Sequence, residues 1–118
     1  MLRVFARLIK DYPLLHLVCC GTGVTFENPE LEEICRTHSL VGRVNLLGHR
    51  SDIPTLMNAF DVLVLPSLGE AFPNVLGEAM ACGVPCVVTD VGDCSEIVGK
   101  SGWVVPPGNE KAQERMFC

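Results

Sequence analysis

Five short, mostly apolar runs, at residues 14–20, 44–47, 61–66, 84–89 and 103–105, recur along this chain, and a stretch with helical spacing fills each interval between them. Strands that are apolar along their whole length need cover on both faces, the situation of strands in parallel sheets joined by crossover helices. The alternation therefore constrains the fold to the α/β class. It predicts a Rossmann-like, mainly parallel sheet with helices on both faces.

Turn residues punctuate the pattern. Leu2, Phe5, Ala6, Leu8 and Ile9 recur at helical spacing until Pro13 stops the helix. Residues 29–38 read as a helix in which Leu31 and Ile34 stand among charges. Ser51 and Asp52 are placed to cap a helix running to Phe60, with Pro54 in its first turn. A helix over 73–82 ends at Gly83, residues 93–98 form a short one, and residues 110–118 begin another. Linkers, internal repeats and low-complexity segments are absent from the sequence.

At 118 residues the chain is one domain at most. Charged residues are 19% of it and the net charge is −5, without a basic run. That argues against a nucleic-acid or anionic-membrane surface. The apolar runs are too short to span a bilayer, so no transmembrane segment is expected. Met1 leads straight into an amphipathic segment with Arg3, Arg7 and Lys10 on its polar side, and the expectation is a cytoplasmic protein. The seven cysteines include no CxxC pair, and no histidine lies near them at ligand spacing. They read as reduced thiols of the core, and no metal site or cofactor is expected.

In sheets of this class, ligands bind where the strands end. Four segments qualify, at 21–25, 48–50, 67–74 and 90–93, and the third carries the densest chemistry. Pro73 suits a first helical turn. The next amides, of Asn74, Val75 and Leu76, then lack intrahelical acceptors and make an anion site, most naturally for phosphate. Gly69 permits the close turn. Glu70 precedes the helix, and Glu78 stands eight positions later among apolar neighbours. Two acidic acceptors around an anion site suit the hydroxyls of a sugar and a ribose, and hence a nucleotide sugar. The same glutamates also fit plainer parts, Glu70 as a partner of the helix dipole and Glu78 as a solvated side chain. Gly21-Thr22-Gly23 is half a dinucleotide fingerprint without its third glycine and reads as an ordinary turn. His49 is the one histidine at a strand's carboxyl end.

The run from Ser67 through Glu70, Phe72-Pro73-Asn74-Val75-Leu76 and Glu78 to Gly83-Val84-Pro85 and Asp90 closely resembles the signature of the group 1 retaining glycosyltransferases of the GT-B fold. Val44–Arg50, Asp61–Ser67 and Gly102–Gly108 resemble that family's other strands, so the likeness covers nearly the whole chain. It implies that residues 1–118 are a partial C-terminal nucleotide-sugar-binding domain, one half of a GT-B architecture. It also implies roles: Glu70 as the catalytic-site glutamate on the donor sugar, and Glu78 on the ribose. Phe72, Pro73, Asn74, Val75 and Leu76 would lie along the diphosphate, with Gly48 and His49 near the base. Such enzymes transfer a sugar from a nucleotide sugar to an acceptor hydroxyl with retention, and generally need no metal.

The chain also departs from the family pattern. Residues 1–118 do not include the family's N-terminal acceptor domain, nor the first strand of its C-terminal domain with the basic diphosphate clamp, and a fragment or a truncated paralogue is expected. The missing strand is central in the family, so two inner strand edges are expected to be unpaired, to be resolved by strand exchange with a second copy, by closure of the gap between the strands, or by a partner that supplies the strand. The isolated chain is therefore expected to be catalytically incompetent. The alternatives are a non-catalytic truncated paralogue that acts as a binding or assembly module and, more remotely, half of a sugar-nucleotide epimerase.

Overall fold

The computed structural model describes residues 1–66 and 74–115. Helices and strands alternate as α1 (Leu2–Asp11), β1 (Leu17–Cys19), α2 (Pro29–Thr37), β2 (Val44–Leu46), α3 (Ile53–Met57), β3 (Leu63–Leu65), α4 (Asn74–Ala81), β4 (Cys86–Thr89), α5 (Cys94–Val98), β5 (Gly102–Val105) and α6 (Glu110–Arg115). Every strand pairing is parallel. This is the Rossmann-like α/β fold of the sequence reading, with helices on both faces of parallel sheets.

The one sheet of that reading is two in the structure, β1-β2 and β3-β4-β5. The chain correspondingly forms two compact units, residues 1–51 and 52–118. In the first, Leu17, Val18 and Cys19 pair with Val44, Asn45 and Leu46. The second sets Leu63 opposite Cys86 and Cys86 opposite Gly102. Among the described residues, β1 pairs only with β2, and β3 only with β4. Both are wholly apolar, as central strands are, yet each lies at the edge of its sheet.

The elements are shorter than their apolar runs for local reasons. Pro13 sets a turn closed by Leu15 N–H donating to the Tyr12 carbonyl at 3.1 Å, and this leaves Leu14 90% exposed. The strand therefore begins only at Leu17. The expected helix to Phe60 ends at Met57, after which Ala59 and Phe60 N–H groups donate to Leu56 and Met57 carbonyls at 2.9 and 3.1 Å. These bonds reach back three residues, the tighter geometry of a fraying helix end. Asp52 is the residue before α3, as expected, but its side chain makes no cap hydrogen bond.

Each unit has its own core. Phe5, Cys35, Leu40, Val44 and Leu46 are buried in the first. Met57, Leu76, Ala79, Val84, Cys86, Val88, Cys94 and Val98 are buried in the second, with Phe60 and Met80 packed against them. No helix among the described residues is long and apolar enough to cross a membrane.

Candidate functional site

Residues Ser67, Gly69, Glu70, Phe72 and Pro73 of the densest segment lie outside the described residues. The rest of that segment is on α4, which connects the parallel strands β3 and β4. The start of such a crossover helix lies toward the carboxyl end of the strand before it. Leu76 and Ala79 of α4 are completely buried and fix the helix by its inner side. Asn74, Gly77, Glu78 and Ala81 are exposed, and their spacing puts them on one outer face. Gly77 contributes no side chain there, and a Cβ built on it would meet nothing within 4 Å. Glu78 thus stands in the open, as the solvated side chain that is one of its two readings from sequence, and not against the core.

The helix ends as the sequence predicts. Gly83 takes φ of 73°, and Val84 N–H donates to the Ala79 carbonyl at 2.9 Å. That six-residue closure at a left-handed glycine is a Schellman stop. It returns the chain directly to β4.

In the first unit, Gly48 follows β2 with φ of 67° and is buried. Its N–H donates to the Val24 carbonyl, and its carbonyl accepts from Gly21 N–H, both at 2.8 Å. The turn after β1 and the turn after β2 are therefore joined through this one residue. A Cβ at 48 would lie 3.1 Å from the Thr25 methyl, so only glycine fits without displacement. With the Gly48 N–H spent on Val24, the polar group presented here is the exposed His49. Gly21-Thr22-Gly23 and Gly48-His49 are separate segments in the sequence and meet here. A glycine straight after a short strand was the available signal that they meet.

Other candidate residues take modest parts. His38 caps the carboxyl end of α2, and Trp103 is half-exposed on the edge strand β5. His16, within the first apolar run, is exposed. Asp93 precedes α5 but makes no side-chain cap hydrogen bond. Among the described residues, no group of three or more His, Cys, Asp or Glu is arranged to hold a metal ion.

Cys35, Cys86 and Cys94 are buried thiols, in keeping with a reduced core. Burial, reinforced by Cys20 and then Cys35, pushes the Cys19 thiol from the ordinary 9.0 up to about 11. The thiolate is the reactive form, so alkylation of Cys19 near pH 8 is expected to be about a hundredfold slower than for an unperturbed thiol. The rate should keep rising with pH until about 11, which peptide mass spectrometry after timed labelling can follow. The folded value lies above the ordinary one. Burial of this thiol therefore begins to cost stability only as pH climbs above about 9.

The family described as "Glycosyl transferases group 1" matches residues 1–116. A Campylobacter jejuni N,N'-diacetylbacillosaminyl-diphospho-undecaprenol alpha-1,3-N-acetylgalactosaminyltransferase is 38% identical over 96 residues, which are 81% of this chain and 24% of that protein. The N-acetyl-alpha-D-glucosaminyl L-malate synthase of Bacillus anthracis is 31% identical over 111 residues, 92% of this chain and 28% of the synthase. Among solved structures, Anabaena HepE in complex with UDP-glucose aligns with a TM-score of 0.84 and 30% identity, over 98% of this chain and 33% of HepE. The chain thus spans about a quarter of the length of these curated relatives.

Proposed function

The chain belongs to the group 1 glycosyl transferases, and from that premise we propose that it is the nucleotide-sugar-binding part of a retaining glycosyltransferase. The observation that carries this reading is the alignment of 98% of the chain with HepE, whose structure is a complex with UDP-glucose. The α4 face adds chemical support. Glu78 is exposed four residues after Asn74, beside a glycine that leaves room for a ligand. A carboxylate so placed can accept from both hydroxyls of a ribose.

In this reading Glu70 contacts the donor sugar as the catalytic-site glutamate, and Glu78 holds the ribose. Phe72, Pro73, Asn74, Val75 and Leu76 line the diphosphate through main-chain N–H groups, and Gly48 and His49 lie at the base. Leu76 can take such a part only through its backbone, because its side chain is fully buried. Rate enhancement in the complete enzyme would come from positioning and from stabilising charge on the leaving diphosphate. Acceptor binding would need a further domain, and the isolated chain would bind the donor without turnover. We place the protein in the cytoplasm, where nucleotide sugars and reduced thiols coexist.

A second reading has its own observation, the one-sided pairing of β1 and β3. Unpaired apolar strand edges recruit other strands. The chain would then act as an assembly module, as a homo-oligomer or with a partner strand.

One experiment addresses both readings. The chain is titrated with UDP-, GDP- and ADP-glucose by calorimetry, and its mass is measured by light scattering. We expect one nucleotide sugar to bind and Glu78→Ala to weaken it by about tenfold to a hundredfold, the scale of lost hydrogen bonds to a charged group. The melting temperature should barely move, since Glu78 is exposed. Unchanged affinity would remove Glu78 from the ribose, and silence with all three sugars would end the donor reading. A strictly monomeric mass at high concentration would count against self-assembly.

A further inference from the structure

Only two polar residues are buried among those described, and Thr89 is the one with no exposure at all. It ends β4, after Cys86, Val87 and Val88, which are equally buried. Valine has nearly the same shape and would continue that apolar row without taking a hydroxyl out of water. Burying a hydroxyl is unfavourable unless it is bonded. Here Thr89 Oγ1 donates to the carbonyl of Leu65 at 3.4 Å, across the sheet.

Leu65 is the last residue of β3, and in the parallel register its carbonyl faces β4 and takes the last ladder bond, from the Thr89 N–H. The hydroxyl therefore adds a second contact to the last backbone bond between the two strands. The neighbouring backbone tightens the same place. Val91 N–H donates to the Thr89 carbonyl at 2.9 Å, and Asp90 N–H donates to the Val105 carbonyl at 2.8 Å. Residues 89 and 90 thus tie together the carboxyl ends of β3, β4 and β5. Ligand sites in sheets of this kind sit at that end.

We propose that Thr89 is a positioning residue for the nucleotide-sugar site. Its hydroxyl reinforces the backbone tie that sets where the chain leaves β3 relative to where it leaves β4. The assignment rests on the donor reading given above and deepens it. Thr89 is enclosed, and the part assigned to it runs through the Leu65 carbonyl and not through contact with the donor.

The test compares Thr89→Val and Thr89→Ser with the parent chain, using UDP-, GDP- and ADP-glucose as probes and urea unfolding alongside. Valine keeps the shape and loses the hydroxyl, whereas serine keeps the hydroxyl. We expect Thr89→Val to remain folded and to bind the recognised nucleotide sugar about tenfold more weakly, with Thr89→Ser within about twofold of the parent. A purely structural hydroxyl would shift the urea midpoint and leave affinity alone. Parental binding with Thr89→Val equally tight, or with Thr89→Ser as weak as Thr89→Val, overturns this assignment by itself. A parent chain that binds none of the three sugars overturns the donor reading and the assignment with it. Should Thr89→Val fail to fold, weakened binding in a folded Thr89→Ser also overturns it, because the hydroxyl is still present.

Discussion

Replacing Gly102 by alanine is expected to remove about 3 kcal/mol of stability from the unit spanning 52–118, the upper range for forcing an extra group into a packed site. Gly102 begins β5 directly opposite Cys86 of β4. A Cβ there would overlap the Cys86 carbonyl oxygen and lie 2.7 Å from the Val98 methyl and 3.2 Å from the Cys86 carbonyl carbon. A flexible side chain can swing aside, but the carbonyl is backbone in a ladder and moves only if the strands part. Small domains hold about 5–15 kcal/mol in total, so this one methyl is a large fraction. Thermal unfolding followed by circular dichroism should fall by about 15 °C. Gly77→Ala supplies the contrast. The same change on the open face of α4 meets nothing within 4 Å and should be neutral or stabilising by up to about 1 kcal/mol. Equal melting temperatures for Gly102→Ala and the parent would mean that β5 does not approach β4 as described.

Leu76→Ala is expected to cost about 3–4 kcal/mol, as fully buried leucines do when truncated. Leu76 is completely enclosed in the core with Met57, Ala79, Val84, Cys86 and Val88. The pairing of this variant with Leu76→Met separates fold from function. Methionine conserves the volume and should cost under about 1.5 kcal/mol. If residue 76 meets the donor through its backbone N–H alone, Leu76→Met should bind nucleotide sugar as the parent does. Intact stability with lost binding would instead put the side chain itself at the ligand.

Much of this architecture was legible because its signals are local. Pro13, Pro29 and Gly83 mark helix boundaries that the structure keeps, and the apolar runs locate the five strands found among the described residues. Strand ends were less legible, because hydrophobicity alone does not say where pairing stops. Leu14 belongs to an apolar run and yet stands exposed, since the Pro13 turn carries it off the sheet. Glu78 shows the converse. Its neighbours in sequence are apolar, but helical geometry sends Leu76 and Ala79 inward and Glu78 outward. The bond joining Gly21 to Gly48 spans twenty-seven positions and depends on the pairing of β1 with β2, which no single segment announces. Thr89 was hidden for the same reason, as its hydroxyl has meaning only beside Leu65.

The placement of two aromatic rings has a practical consequence. The sequence contains one tyrosine and one tryptophan. Tyr12 falls within residues 1–51 and Trp103 within 52–118, both part-open to water at 42% and 50% exposure. Each half of the polypeptide therefore carries a private chromophore. Red-edge excitation reads the second half alone, and the tyrosine absorbance derivative reads the first, so one cuvette without labels can reveal whether the halves melt together or in succession.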